Sequence, residues 1–272
     1  MSHLVDSSLL ARAIDTAEGY LQLANQVTRT KHATFVTNDQ WPGVNDANHC
    51  ALVRFTEGDD AAMDAVLSAI HGRDGGSTVK VDPLTPPEFE ARLVLEGRHP
   101  HTELHMMLPA AANIAAPSST PADIRPVRTE DDWAVLARLK RLDYIEAAEL
   151  AGRAMRSEAD SWALINSKRA KSPDVRYFLA AVDGEDCAFF SAWPGTVDLG
   201  VVEDLYTLSP YRRRGIASAL FAHAVSDARG RGASEVMTSA DPDDTPKHLF
   251  AALGFIPLFL LRSYSPAPPT EG

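Results

Sequence analysis

The sequence predicts an α/β (α+β) protein in two parts, and three observations carry that expectation. Strand-like and helix-like segments alternate along most of the chain. An uncharged Pro/Ser/Ala stretch, Ala115-Ala116-Pro117-Ser118-Ser119-Thr120-Pro121-Ala122, divides it. In the second part a buried strand runs through a basic, glycine-containing loop into a helix: Glu203-Asp204-Leu205-Tyr206-Thr207-Leu208-Ser209-Pro210-Tyr211-Arg212-Arg213-Arg214-Gly215-Ile216-Ala217-Ser218-Ala219-Leu220. The expected units are residues 1–115, a linker at 116–122, a second unit at 123–265 and a Pro-rich disordered tail at 266–272.

In the first unit Ser7 to Asn25 reads as a helix with Leu10, Ile14, Ala17 and Leu21 on one face. His32 to Val36 and Cys50 to Phe55 read as strands. Ala61 to Ile70 reads as a helix, Thr78 to Val81 as a strand, Pro87 to Leu95 as a helix and Glu103 to Leu108 as a strand.

In the second unit Ile124 to Arg128 is a short strand, and Thr129 caps a helix running to about Asp143. That helix carries Trp133, Leu136, Leu139 and Leu142 at helical spacing. A second helix is expected from Ala147 to Lys168. Tyr177–Val182 and Cys187–Trp193 are strands joined by the hairpin signal Asp183-Gly184-Glu185-Asp186. A strand from Thr196 to Leu208 leads into the basic loop, and the helix from Gly215 to about Arg229 follows. Glu235–Ser239 is a strand, Pro246–Leu253 a helix and Phe255–Ser263 a final strand.

The chain has 272 residues, 45% hydrophobic and 23% charged, with a net charge of −11. An acidic surface disfavours nucleic acid and suits a cationic or neutral small molecule. Against that background Arg212, Arg213 and Arg214 mark a local anion site. A helix start offers N–H groups without intrahelical partners and a partial positive charge, and Gly215 lets a ligand approach the backbone. Three arginines would repel that helix end unless an anion came between them. Cys50 and Cys187 lie in apolar runs and read as buried thiols, with no zinc or disulfide spacing. Met1 to Asp6 has no basic segment followed by an apolar one, and no apolar run approaches the ~20 residues that span a bilayer. A cytoplasmic protein with no membrane partner is expected, as a monomer or homodimer.

The pattern Arg212-x-x-Gly215-x-Ala217 resembles the acyl-CoA pyrophosphate loop of the GNAT superfamily of N-acetyltransferases. The stretch from Asp241 to Phe255, a short helix ending in Leu253-Gly254-Phe255, is similar to a second region of that family. The element order of 122–265 matches the family's fold, a mixed, mostly antiparallel sheet flanked by helices. Pro87 to Gly97 resembles a degenerate copy of the helix-Gly-strand ending, with no basic loop before it. The first unit is therefore expected to be a smaller, degenerate GNAT-like domain that cannot bind acyl-CoA.

The resemblance implies acetyl-CoA as co-substrate, no metal, and acetyl transfer to a primary amine by direct attack in a ternary complex. By position, backbone groups of Leu205, Tyr206 and Thr207 would pair with the pantetheine arm. Arg212, Arg213, Arg214, Gly215, Ile216, Ala217 and Ser218 would surround the pyrophosphate. Asp243 stands where many members carry an Asn that touches that arm.

Glu203 is the candidate general base, acting through water, or else a salt-bridging or ammonium-binding residue. Strict alternation puts Glu203, Leu205 and Thr207 on one face and Asp204 and Tyr206 on the other, with Asp204 structural or solvated. Phe250 stands where many members carry a Tyr that protonates the leaving thiolate. Tyr206, Tyr211 and Tyr264 are substitutes, and a non-catalytic acyl-CoA sensor is the alternative reading. A nucleotide-phosphate binder is the third, but the loop lacks the P-loop and dinucleotide spacings. His99, His101 and His105 form no complete metal set, with His101 and His105 on one strand face. His223 reads as a surface residue and Trp133 and Trp193 as core. Trp162 is either core or substrate-facing.

Overall fold

The computed structural model describes residues 6–56, 58–72, 78–114, 122–150, 152, 157–196 and 198–265. Most of the expected linker, at 115–121, and the tail at 266–272 lie outside the described residues. The first half contains helix α1 (Ser7–Gln22), strands β1 (Gln26–Arg29), β2 (Thr34–Thr37) and β3 (His49–Ala51), and helix α2 (Asp60–His71). Strand β4 (Thr78–Val81), helix α3 (Pro87–Leu95) and strand β5 (Pro100–Leu108) complete it.

The second half opens with β6 (Asp123–Pro126), α4 (Glu130–Leu150) and α5 (Glu158–Ala170). Strands β7 (Arg176–Val182), β8 (Glu185–Trp193) and β9 (Leu199–Thr207) follow. Helix α6 (Ile216–Gly230), β10 (Glu235–Ala240), α7 (Pro246–Ala252) and β11 (Ile256–Tyr264) end the chain.

All eleven strands form one mixed sheet in the order β1-β2-β3-β4-β11-β5-β10-β9-β8-β7-β6. From either end, β6 aside, it reads the same way: two antiparallel pairings, one parallel, then two antiparallel. The chain thus contains one strand-helix-strand plan twice, related by a pseudo-twofold axis between β11 and β5. The last strand of each half crosses to the other: β5 lies between β10 and β11, and β11 between β4 and β5.

The two copies also end their last helix alike. Gly97 and Gly254 have φ of 77° and 95°. Arg98 N–H reaches Leu93 O at 3.2 Å, and Phe255 N–H reaches Phe250 O at 3.0 Å. These are the six-to-one bonds of a left-handed helix end, which turn the chain into the following strand.

Three apolar clusters anchor the layers. Ile216, Leu220, Phe221 and Val225 of α6 pack on one face of the sheet with Phe178, Phe190 and Val202. Trp133, Leu136 and Leu139 of α4 pack on the other with Tyr177, Phe189 and Tyr206. In the first half Val66, Leu67 and Ile70 of α2 meet Val79, Val81, Phe89 and Leu93.

Several expected boundaries move. Strand β1 gave no sequence signal, because Gln-Val-Thr-Arg is largely exposed and has no apolar alternation. The strand expected at Cys50–Phe55 ends at Ala51, since Leu52 takes a φ of 52°. Helix α4 continues to Leu150, through helix formers with no breaker. Helix α5 starts at Glu158, not Ala147, because Ser157 and Asp160 form a capping box.

Candidate active site

Strands β9 and β10 run parallel only from Leu199–Glu235 to Val201–Met237. Beyond that β10 stays paired with β5 as far as Ala240, while β9 stays paired with β8. From Val202 to Thr207 the β10-facing edge of β9 has no strand partner among the described residues. The two strands open into a V whose mouth leads to the basic loop. Leu205, Tyr206 and Thr207 lie on that free edge.

At the loop, Ser209 to Tyr211 form one 3₁₀ turn. Arg213 and Gly215 both take left-handed φ, 60° and 80°. Such a curl turns successive N–H groups toward a common side, where an anion can sit. The first bond of α6 is Ala219 N–H to Gly215 O at 3.1 Å. Among the described residues the N–H groups from Arg213 to Ser218 have no acceptor. A run of unpaired donors beside the exposed Arg213 and Arg214 fits a pyrophosphate.

The three arginines are not equivalent. Arg212 donates through Nε to Thr207 O at 2.7 Å, pairs with Glu146 of α4 and lies over the Tyr206 ring. It ties the strand end to the loop. Arg214 lies over Tyr211, 5.5 Å from the ring centre. Neither Arg213 nor Arg214 has a carboxylate partner among the described residues.

On the face of the sheet opposite α6 lies a cavity of roughly 780 Å³, counted out to its open mouth. Both halves line it. The second half gives Lys168, Val201, Glu203, Asp204, Met237, Ser239, Phe259 and Leu261. The first half gives residues of α1 with Asp46, Leu52, Lys80, Asp82, Glu103 and His105.

Strict alternation along β9 does not hold. Phe189 pairs with Tyr206 and Ser191 with Glu203, so Asp204 and Leu205 together oppose one residue of β8. Asp204 sits in this bulge with a φ of 64°. As a result Glu203 and Asp204 both line the cavity, while Leu205 turns to the α6 side with Val202. The expectation that Glu203 shares a face with Leu205 is therefore corrected.

The two carboxylates have opposite fates. Burial alone would raise Asp204, but Lys168 at 2.6 Å and Lys140 at 3.7 Å outweigh it and hold it below its ordinary value. Glu203 is pushed up to about 8, first by burial and then by Asp204 and Glu103, with Lys168 partly offsetting. Its carboxylate takes one long bond, 3.4 Å, from Ser239 Oγ. A carboxylate so placed accepts a proton near neutrality.

Other sequence candidates fall as follows. Phe250 is 2% exposed and packs on Phe221 and Phe255. Tyr264 donates to Glu90 at 2.7 Å, in the core of the first half. Tyr206 is buried with Glu146 beside its hydroxyl, and Tyr211 stands under the loop. Asp243 is exposed, with its N–H bonded to Asp241 Oδ1 at 2.8 Å.

Trp133 and Trp193 are buried. Trp162 is 43% exposed and lies outside the cavity. His223 is exposed, edge-on to Phe178. His99 and His101 are exposed while His105 is buried, and no group of three potential metal ligands exists among the described residues. Cys50 and Cys187 are buried, and no disulfide joins them. Among the described residues no helix is long and apolar enough to cross a membrane.

Sequence reasoning missed Lys80, Glu103, Lys168 and the cavity role of His105. Three of these come from the half without a basic loop. There, the turn into α2 carries Gly58 at φ 82° followed by Asp59 and Asp60. Carboxylates replace the arginines, so that helix start repels a pyrophosphate.

The acetyltransferase (GNAT) family model matches residues 137–255, which span the basic loop, both splayed strands and the helix ending at Gly254. Residues 137–255 are a GNAT acetyltransferase domain. Solved structures extend the likeness to both halves. A GCN5-related N-acetyltransferase from Kribbella flavida superposes with a TM-score of 0.69 at 15% identity, covering 96% of this chain and 97% of its own. A conserved protein of unknown function from Staphylococcus epidermidis gives 0.64 at 14%, over 90% and 94%. A tandem GNAT protein of the clavulanic acid biosynthesis pathway gives 0.55 at 17%, over 90% and 84%. At such identities the likeness speaks for the fold, which the first half shares with that tandem GNAT protein. No curated protein matches the chain by sequence. Acetyl-CoA-dependent acyl transfer is the chemistry of that family.

Proposed function

We propose that this chain acetylates a small primary amine, with acetyl-CoA in the V between β9 and β10 and the amine in the cavity beside it. The observation that carries the reading is Glu203. It stands where the free edge of β9 meets the cavity, and its burial beside Asp204 makes it basic enough to take a proton from an ammonium. The loop donors at 213–218 would hold the pyrophosphate, and Leu205 to Thr207 would align the pantetheine arm. Both substrates then meet in one ternary complex.

The steps balance. The ammonium loses one proton toward Glu203, and the free amine attacks the thioester carbon. The nitrogen loses a second proton as the C–S bond breaks, and the sulfur gains one. Amide and thiol form with one net proton released.

One observation favours a second reading, an acyl-CoA sensor without turnover. Phe250 closes into an aromatic cluster and has no hydroxyl to protonate sulfur. Calorimetric titration of acetyl-CoA into the wild type and an Arg214→Glu/Gly215→Glu variant tests the shared premise. Binding lost in the variant supports it; no binding to the wild type overturns both readings. Thiol release with an amine panel then separates enzyme from sensor.

A further inference from the structure

The cavity's ionisable groups divide by whether they are already satisfied. Asp46 pairs with Lys80 at 3.2 Å, Glu18 with His49 at 2.9 Å and Asp82 with Arg54 at 3.1 Å. Asp204 pairs with Lys168 and Lys140. Three groups remain. Among the described residues Glu203 has only the long bond from Ser239. Glu103 has no hydrogen bond or ion pair among the described residues, and Lys80, which attracts it, is held by Asp46. His105 is 7% exposed, lines the cavity, and its Nε2 has no hydrogen-bond partner among the described residues. A buried polar atom left unpaired costs free energy, so an unpaired one at a cavity wall marks where a ligand completes the set.

Position along the sheet makes this arrangement specific. His105 pairs with Ser239 across β5 and β10, and Ser239 bonds Glu203 of β9. Those three stand at one level across neighbouring strands. Glu103 is two residues along β5 from His105, on the same face. Strand spacing and rise set a lower bound of roughly 12 Å on the Cα separation of Glu103 and Glu203, which the splay of β9 from β10 widens. Side chains leaning inward from both leave room for a chain of three or four carbons between the carboxylates. Six carboxylates line the cavity against two lysines, which disfavours an acceptor bearing its own carboxylate.

We infer that Glu103, supplied by the half that cannot bind acyl-CoA, is the second anchor of the acceptor. The acceptor is then a short aliphatic diamine, with one nitrogen presented to Glu203 and the other held by Glu103. The assignment rests on the acyl-transfer reading for the role of Glu203. It explains why the degenerate half keeps its last strand inside the sheet of the catalytic half: that strand carries the specificity residue.

Calorimetry with 1,4-diaminobutane, butylamine and 4-aminobutanoate, each with and without saturating CoA, tests it. These probes differ only in the group at the far end. The wild type should bind the diamine at least tenfold more tightly than butylamine and give no heat with 4-aminobutanoate. Glu103→Gln should erase the diamine's advantage while leaving acetyl-CoA affinity and the unfolding midpoint unchanged, which shows that it is folded. Equal binding of diamine and butylamine, absence of amine binding, or a preference that survives in Glu103→Gln overturns the assignment. Acetyl-CoA binding that persists in those cases leaves the acyl-transfer reading standing. A diamine preference without any acetyl-CoA binding sinks that reading and keeps the role of Glu103.

Discussion

Glu203 and Asp204 are adjacent in sequence, and both carboxylates face the same cavity. The bulge at Asp204, with its φ of 64°, makes this so. Two like charges in one site cannot both be stabilised, and the lysines decide between them. Lys168 and Lys140 hold Asp204 ionised, so Glu203 is the one driven toward the neutral form.

Glu203→Gln should therefore lower kcat/KM by about 10²–10⁴-fold, the usual worth of a general base, with acetyl-CoA affinity unchanged. Stability gives an independent sign. The folded pKa of Glu203, about 8, lies above the unfolded value of 4.5. Between those limits the folded state holds more protons, so the wild type loses stability as pH rises from about 4.5 to about 8. Urea unfolding of both proteins across that range should show the variant gaining relative to wild type and levelling off above pH 8. A pH-independent difference would show that Glu203 is not perturbed.

Asp204→Asn keeps a side chain that tolerates the left-handed backbone and removes only the charge. Two effects follow in opposite directions. Lys168, mostly buried, loses its counter-ion while Lys140 keeps Asp143 at 2.7 Å, which should cost about 3 kcal/mol in urea unfolding. Glu203 loses its repelling neighbour, so its pKa should fall. The acid limb of the kcat/KM profile should then move to lower pH. An unshifted limb would place the cause of the Glu203 perturbation in burial and Glu103.

Local signals made the second half legible. The hairpin at Asp183-Gly184 needs two left-handed residues, and those positions have φ of 53° and 83°. The basic loop and the Gly254 helix end are likewise written in adjacent residues. The exchange of β5 and β11 is not local, because it joins strands more than a hundred residues apart. Neither propensity nor periodicity reports it. The bulge was hidden for a different reason: alternation assumes a regular strand, and Asp204 is compatible with either backbone. Glu103 looked like an ordinary strand polar residue because its meaning comes from the opposite half.

The loop arginines should separate in mutation. Arg212 is already satisfied by Thr207 O and Glu146, so Arg212→Ala should lower the unfolding free energy by about 1–2 kcal/mol through lost charge-assisted bonds. Arg213 and Arg214 are exposed and have no carboxylate partner among the described residues. Replacing both with Ala should leave stability nearly unchanged and weaken acetyl-CoA by about tenfold, or 1.4 kcal/mol. The salt dependence of binding should flatten in that double variant and not in Arg212→Ala. Titrations at low and high salt would show the contrast, and a flattened slope in Arg212→Ala would reassign it to the phosphate.

The interleaved sheet also makes a prediction about the two halves as pieces. Strand β11 pairs only with β4 and β5, both from the first half, and β10 loses its β5 neighbour when that half is absent. Residues 122–272 alone would therefore expose one edge of β10 and both edges of β11, which carries Leu258, Phe259 and Leu261. Unpaired edges of that kind recruit other chains. The isolated second half should elute as aggregate or dimer and unfold without a sharp transition. Co-expression with residues 1–114 should restore a one-to-one complex that unfolds cooperatively and binds acetyl-CoA. A monomeric second half that binds acetyl-CoA as tightly as the whole chain would mean that β11 can re-pair directly with β10. The first half would then serve the acceptor cavity alone and not the integrity of the sheet.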